Sequence, residues 1–353
     1  MRFGFVGLGF ATQTLHLPAV RSLATATSVG GTDVSPERRA QWRRLEAGPA
    51  FSSLDQLLEQ GRPDVVVVAT PPESHAATCL AAIDAGANVV CEKPFVVDVV
   101  EADMVIAAAQ RAGRWVAVNH EFRFMPIFSV VSDIIGRSDI GAPILLHCTQ
   151  FMDLAPWEEK VPWRAAMPDR SLFEGGVHIV DLLHCLAGRM PVSVSAATSS
   201  GLDPSRRADA VDLVTLDYGG GMLGQITINR LCRTGTRYVD LQVDCEHASL
   251  YASYGGRAQL RVGLERGSKP GLRLDFGLEG MTWVQRGLRR KVVARNRRPA
   301  APLATAALYA ATLAAANDGR PLPVSADDAR QTLRIIEAAY RSARTGERVL
   351  LEA

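Results

Sequence analysis

Several common signatures are missing from this 353-residue sequence, and each absence removes a class of function. The six cysteines, Cys79, Cys91, Cys148, Cys185, Cys232 and Cys245, form no Cys-x-x-Cys pair and no His/Cys cluster at zinc spacing. Neither a disulfide scaffold nor a metal site is therefore expected. Thiols scattered in this way suit buried positions in a reducing cytoplasm, and cytoplasmic is the expected location. Charge of one sign is not in excess. The formal net charge of +2 gives no reason to expect a nucleic-acid partner or a membrane surface. No apolar run is read as reaching the roughly 18 residues of a membrane span. Lysines are few beside arginines, internal repeats are absent, and the N-terminal MRFGFVGLGF lacks a signal-peptide cleavage site. What remains is an ordinary globular composition, 47% hydrophobic and 22% charged, in a chain long enough for two domains.

The first 120 or so residues alternate strands and helices. Arg2 to Val6 read as a strand, Gly7-Leu8-Gly9-Phe10-Ala11-Thr12 as a glycine turn, and the apolar-periodic stretch to Val20 as a helix. The turn fits G-x-G-x-x-G with Thr12 in the third glycine's place. In such a turn the glycines let the backbone approach a pyrophosphate, and the helix N-terminus offers N–H groups and a positive dipole end. Thr12 is expected to cost packing room rather than phosphate contact. The next strand ends at Asp33, about 20 residues beyond the glycines, where a carboxylate meets the adenosine ribose hydroxyls. A carboxylate there favours NAD(H), while Arg38 and Arg39 close by keep NADP(H) open. Val65 to Ala69 form a β-branched run of the kind buried on both faces of a parallel sheet, ending at Thr70-Pro71-Pro72. Asn88 to Cys91 lead into Glu92-Lys93-Pro94, and Trp115 to Asn119 form one more strand. The pattern predicts a doubly wound parallel sheet. Lys93 then stands at a strand's carboxyl end, where ligands of open α/β sheets bind.

Beyond residue 122 the pattern changes. Helices are expected over 126–135 and 174–186, strands over 144–150 and from 191 to about 265, and two Ala-rich helices over 303–317 and 325–344. Residues 152–170 read as a Pro- and Trp-rich polar loop, and the cationic 286–298 as a solvated loop or edge. The expected division is a dinucleotide-binding domain over 1–122 and an α+β domain over 123–353 with a large, mostly antiparallel open sheet, whose C-terminal helices can pack back on the first domain.

Taken in order, GLGFATQTLHLPAV at 7–20, ATPPESH at 69–75, CEKP at 91–94, RFMP at 123–126, GGVHIVDLL at 175–183 and the closing GRPLPVSADDAR and EAAYRSARTG resemble the Gfo/Idh/MocA oxidoreductase family along nearly the whole chain. The resemblance implies a Rossmann domain, a tightly held NAD or NADP, and hydride transfer at a sugar, cyclitol or related polyol carbon. It also implies a homodimer or homotetramer built through the C-terminal sheet. It carries a catalytic lysine onto Lys93 and a catalytic histidine onto His178. Two departures stand out: Glu174 occupies the usual Asp position, without the preceding glycines and with Asp169-Arg170-Ser171 nearby, and Glu121 stands where many members carry Asn.

Oxidising a carbinol leaves a hydroxyl proton for a general base working near neutral pH. Histidine needs little tuning for this, whereas an ordinary lysine titrates near 10.4. His178 is therefore expected to exchange the proton while Lys93 polarises the same oxygen, and the reverse allocation is equally consistent. Glu174, His178 and Asp181, spaced i, i+4 and i+7, would share one helix face, with Glu174 orienting the imidazole. The expected cofactor-binding residues are Gly7, Gly9, Phe10, Ala11, Thr12, Asp33, Arg38, Thr70, Pro71, His75, Glu92, Lys93 and His120. Those expected at the substrate are Lys93, Glu121, Arg123, Trp163 and His178. His16 reads as a packing residue. An NAD-assisted glycosidase of the same family, or a dinucleotide-binding regulator, are the alternative functions.

Overall fold

The computed structural model describes residues 1–153, 167, 171–202, 208–233, 238–255, 257–262, 272–277, 279–297 and 299–351, the side chains of 257–262 and 272–277 excepted. Trp157, Trp163 and most of the 152–170 stretch lie outside the described residues.

The chain forms two compact units. The first comprises Met1–Met125, Val180–Leu182 and Pro299–Glu337, so residues 1–122 are joined by a C-terminal segment that includes the helix Ala300–Asn317. Its sheet contains β1 (Arg2–Val6), β2 (Thr27–Thr32), β3 (Ala50–Phe51), β4 (Val65–Val68), β5 (Asn88–Cys91) and β6 (Val116–Val118), in the order β3-β2-β1-β4-β5-β6. Every pair is parallel. Val65 to Val68 are fully buried, as a central parallel strand requires. The chain leaves β1 toward β2 on one side and returns to β4 on the other, which makes β1/β4 the topological switch point.

Register aligns the strand ends. Val6 lies opposite Thr32 and Val68, Val68 opposite Cys91, and Cys91 opposite Val118. The residues that follow, Gly7, Asp33, Ala69, Glu92 and Asn119, therefore stand in one row along the carboxyl edge.

The helix Ala300–Asn317 belongs to this unit. It runs 18 residues with a membrane span's length and apolarity, which corrects the sequence reading that no such run exists. Ala304, Thr305, Leu308, Tyr309, Thr312 and Ala315 are buried along it, and Tyr309 stacks on Phe3 of β1 at 5.9 Å between ring centroids. This apolar face is covered by the protein itself.

The second unit comprises Pro126–Ile179, Leu183–Arg298 and Ala338–Ala353. Its nine-stranded sheet runs β16-β15-β12-β11-β7-β10-β9-β8-β17. These are β7 (Pro143–Phe151), β8 (Ser193–Ser199), β9 (Val211–Asp217), β10 (Leu223–Asn229), β11 (Val239–Cys245), β12 (Ser249–Tyr254), β15 (Met281–Arg286), β16 (Arg289–Arg295) and β17 (Val349–Leu350). All neighbours are antiparallel except β7 and β10. The strands β13 (Arg257–Val262) and β14 (Leu272–Gly277) pair separately. The cationic stretch becomes the edge strand β16, and charge on an edge discourages pairing with another chain. Helix Pro126–Ile134 buries Ile127, Phe128 and Val131.

The single helix expected over 174–186 is two elements. Ser171–Gly175 forms a wide π-type turn, and the α-helix covers Val177–Ala187. Gly176 N donates to Ser171 O, five residues back, at 2.8 Å. Tertiary packing demands the adjacent glycines. A Cβ on Gly175 would lie 2.0 Å from Arg230 Nη2, and one on Gly176 would lie 2.3 Å from Ile228 Cδ1.

Candidate active site

The glycine turn opens the carboxyl edge of the first sheet. Gly7 adopts φ +84°, and a Cβ there would meet Ala69 O at 2.4 Å, so only glycine fits between β1 and β4. Thr12 is buried, and its hydroxyl donates to Gly7 O, closing the turn from the following helix. In the third glycine's place threonine thus gains a clasp as well as costing room. Phe10 projects into solvent at 74% exposure, with Ala11 half-buried behind it.

Asp33 ties this turn to β2. Its Oδ2 accepts from Leu8 N at 2.8 Å and its Oδ1 from Ser35 N at 2.9 Å. Arg38 Nη1 approaches Oδ2 at 3.5 Å from a half-exposed side chain and also stands beside Gly9. The close-backbone cradle at Gly7, the helix beginning directly after the turn, and the carboxylate ending β2 together fit a dinucleotide: turn for pyrophosphate, Asp33 for ribose.

Thr70 and Pro71 follow β4. The buried ring of His75 faces backbone oxygens on both sides. Nε2 meets Thr70 O at 2.8 Å, and Nδ1 meets Pro94 O and Phe95 O at 3.0 Å each. The ring braces the strand-end turns of β4 and β5 together.

Glu92 and Lys93 follow β5, and the Lys93–Pro94 peptide is cis. The buried Glu92 carboxylate is fully engaged. Oε1 receives His16 Nε2 and Asn119 Nδ2, each at 2.8 Å, and Oε2 accepts Lys93 N at 3.0 Å. Burial alone would raise its pKa. The hydrogen bond and charge of His16, the charge of Lys93 and the Asn119 hydrogen bond outweigh burial and lower it to about 2. His16, expected only to pack, is therefore part of the lysine's surroundings. Tyr309 OH lies 2.8 Å from His16 Nδ1.

Glu121 opens the short turn after β6 and is buried. Burial and the negative charge of Glu92 raise its pKa to about 8, against the opposing pull of Lys93. A carboxyl group in this setting holds its proton at neutral pH. His120 beside it is 1% exposed. Burial lowers its pKa against the opposing charge of Asp181, whose Oδ2 lies 3.8 Å from Nδ1. Asp181 instead holds Arg123, accepting Nε at 2.8 Å and Nη2 at 2.6 Å. Arg123 also donates to Pro323 O at 3.3 Å. Asp181 thus belongs to an ion pair of the first unit.

Glu174 and His178 belong to the second unit, where His178 is buried and Glu174 half-buried. Glu174 lies within the π-type turn and His178 in the first turn of the α-helix that follows it. The turn itself is firmly held. Asp209 Oδ1 accepts Ser171 N at 2.8 Å, and Oδ2 accepts Leu172 N at 3.1 Å and Tyr340 OH at 2.9 Å. The Tyr340 hydroxyl also accepts Phe173 N at 3.2 Å. Arg230, buried, donates to Gln150 Oε1 and to Ser171 O. Sequence reasoning missed Asn119, Asp209 and Tyr309. Only His16 carried a signal, since it lies within the 7–20 motif. Among the described residues no group of three His, Cys, Asp or Glu is placed to hold a metal.

Comparison with known proteins gives the family. The model of an oxidoreductase family with an NAD-binding Rossmann fold matches residues 1–120, and the Gfo/Idh/MocA C-terminal domain matches 128–251. The chain belongs to the Gfo/Idh/MocA oxidoreductase family. Within that family, it is 29% identical over 265 residues to inositol 2-dehydrogenase 4 of Saccharopolyspora erythraea, covering 74% of this chain and 73% of that relative. D-apiose dehydrogenase of Paraburkholderia graminis is 26% identical over 352 residues, covering 99% and 89%. An oxidoreductase from Agrobacterium radiobacter, solved with NAD+, L-tartaric acid and magnesium, superposes with a TM-score of 0.84 at 19% identity, covering 99% and 98%. That last likeness speaks to fold. The N-terminal unit of this Gfo/Idh/MocA member is thus an NAD-binding Rossmann domain.

Proposed function

We propose that this family member transfers a hydride between NAD(P) and the CH–OH carbon of a sugar, cyclitol or related polyol. The observation that supports it is the row along one sheet edge: the Gly7 turn, Asp33, Thr70, Glu92 with Lys93, and Asn119 with Glu121. Such a row aligns the parts needed for pyrophosphate, ribose and proton handling. The dehydrogenase names of the relatives point to the same substrate class.

A bound nicotinamide would supply the hydride acceptor or donor. The protein's residues then have these parts. The Gly7–Thr12 turn and Asp33 hold the dinucleotide, with NAD favoured by the carboxylate and NADP left open by Arg38. Lys93 holds and polarises the reacting oxygen, and His178 exchanges its proton, with Glu174 as the acid partner of the imidazole. Glu121, neutral at the pH of the reaction, offers an O–H to a substrate oxygen.

We further infer a homodimer or homotetramer through the nine-stranded sheet, whose Leu213 and Leu223 are exposed. The free cysteines suit a reducing cytoplasm.

The test is a panel of sugars and cyclitols offered with NAD+ and NADP+, following absorbance of the reduced cofactor. Turnover of a polyol with Lys93 intact and its loss in Lys93→Met support the reading. Absence of reduction across the panel, with NAD bound, overturns it.

A further inference from the structure

The carboxylate of Glu92, next to Lys93 in the chain, is met by side chains from two distant segments, His16 after the glycine turn and Asn119 after β6, and His16 in turn meets Tyr309 on the helix Ala300–Asn317. We propose that His16 and Tyr309 are positioning residues for the catalytic lysine, acting through the Glu92 carboxylate. This deepens the proposed function, since it takes Lys93 to be the residue that meets the reacting oxygen.

The geometry defines a single buried chain: Tyr309 OH to His16 Nδ1 at 2.8 Å, His16 Nε2 to Glu92 Oε1 at 2.8 Å, and Lys93 N to Glu92 Oε2 at 3.0 Å. A buried carboxylate is stable only while its oxygens are satisfied by donors. His16 supplies one donor, and the other side of its ring must be fixed for that donor to stay aimed. Tyr309 provides the fixing. Its ring packs on Phe3 in the sheet core, and its hydroxyl lies against Nδ1. A hydroxyl both donates and accepts. It therefore bonds Nδ1 whether that nitrogen is bare or protonated, and Nε2 donates to Glu92 in both cases. The chain persists through a change of protonation at His16. Glu92 Oε2 then holds the backbone N–H of Lys93 itself, which sets where the lysine side chain starts.

A purely structural contact would cost stability when its donor is lost but would leave kcat and its pH profile in the folded protein unchanged. A positioning role depends instead on where a donor stands. His16→Gln places an amide near the former Nε2, able to donate to Glu92, whereas His16→Asn places one near Nδ1 and leaves Glu92 short of a donor. Tyr309→Phe removes only the hydroxyl. With the polyol found by the panel, His16→Asn is expected to lower kcat about 10-fold and to shift its pH profile, with KM and NAD affinity within about twofold. Tyr309→Phe lowers kcat about 3-fold with the same profile shift, and His16→Gln restores most of the loss. Unchanged kcat and pH profile in both His16→Asn and Tyr309→Phe overturn the proposal, as does equal impairment of His16→Asn and His16→Gln.

A second measurement needs no turnover. In full-length protein carrying 15N-labelled histidine, the His16 Nε2 proton should be protected from solvent exchange and should lose protection in Tyr309→Phe, which preserves packing. Protection unchanged in Tyr309→Phe overturns the chain even where His16→Asn does not fold. If the panel yields no substrate while the exchange result holds, the hydrogen-bond chain stands as structure and the positioning role falls with the proposed function.

Discussion

The hydroxyl of Tyr309 lies 2.8 Å from the ring of His16, across 293 positions of sequence. The contact brings a helix from near the end of the chain into the surroundings of Glu92 and Lys93. It explains why the segment Pro299–Glu337 belongs with the cofactor unit.

Lys93 is the residue whose loss should cost most at the chemical step. Lys93→Met keeps the length and the apolar stem but removes the charge and donors. We expect kcat to fall by about 100-fold or more while the thermal midpoint changes little, because the side chain is only part-buried. Steady-state kinetics beside a thermal melt checks both halves.

Glu121 makes stability depend on pH. Its carboxyl is raised from the ordinary 4.5 to about 8 in the folded protein by burial and by Glu92. Between those values the folded state keeps a proton that the unfolded state has released. The unfolded state binds fewer protons, so stability falls as pH rises from about 4.5 to about 8 and is flat above. Glu121→Gln is neutral throughout and lacks this slope. Urea unfolding at pH 5 and pH 8 should show the unmodified protein losing stability relative to the variant by an amount on the order of a few kcal/mol.

Gly7 admits no side chain. At φ +84° an L-residue costs about 1–2 kcal/mol by itself, and the added Cβ would overlap Ala69 O at 2.4 Å. Gly7→Ala should therefore push β1 and β4 apart at the carboxyl edge. The expected result is NAD affinity reduced at least about 10-fold, with a lowered thermal midpoint, read by calorimetry. Unaltered affinity would remove the turn from the cofactor site.

Asp209 holds the π-type turn before His178 by accepting two backbone N–H groups and the Tyr340 hydroxyl. Asp209→Asn replaces one acceptor oxygen with a donor NH2, which then faces another donor. The loss should be about 1–3 kcal/mol in chemical unfolding. A variant as stable as the unmodified protein would show that the turn is held by its other contacts.

Much of the fold was legible because it rests on periodic burial. The Val65–Val68 run could only be a strand covered on both faces, and the strand–glycine–helix start and Asp33 have fixed spacing in a parallel sheet. The lysine's place at a strand end followed from Pro94 and the apolar run before it. Three features were not legible. The expected helix from Glu174 begins as a π-type turn, held by Asp209 and Tyr340 from distant parts of the chain. Asp181, one of three acids and bases in a regular spacing, turned to Arg123. His75, next to a Thr-Pro turn, spends its ring on backbone oxygens.

What the sequence by itself determined is the local chemistry: the order of strands and helices, the glycine turn, the acid ending β2 and the Glu92-Lys93-Pro94 stretch. These depend on neighbours within a few residues, which pattern and propensity report. Only the tertiary structure decided which distant groups complete that chemistry. His16 and Tyr309 behind Glu92, Asp181 beside Arg123, and Asp209 under the turn before His178 are brought together by packing. A hydrogen bond between residues far apart in the chain leaves no periodic trace in the sequence, because its partners are chosen by how the buried surfaces fit.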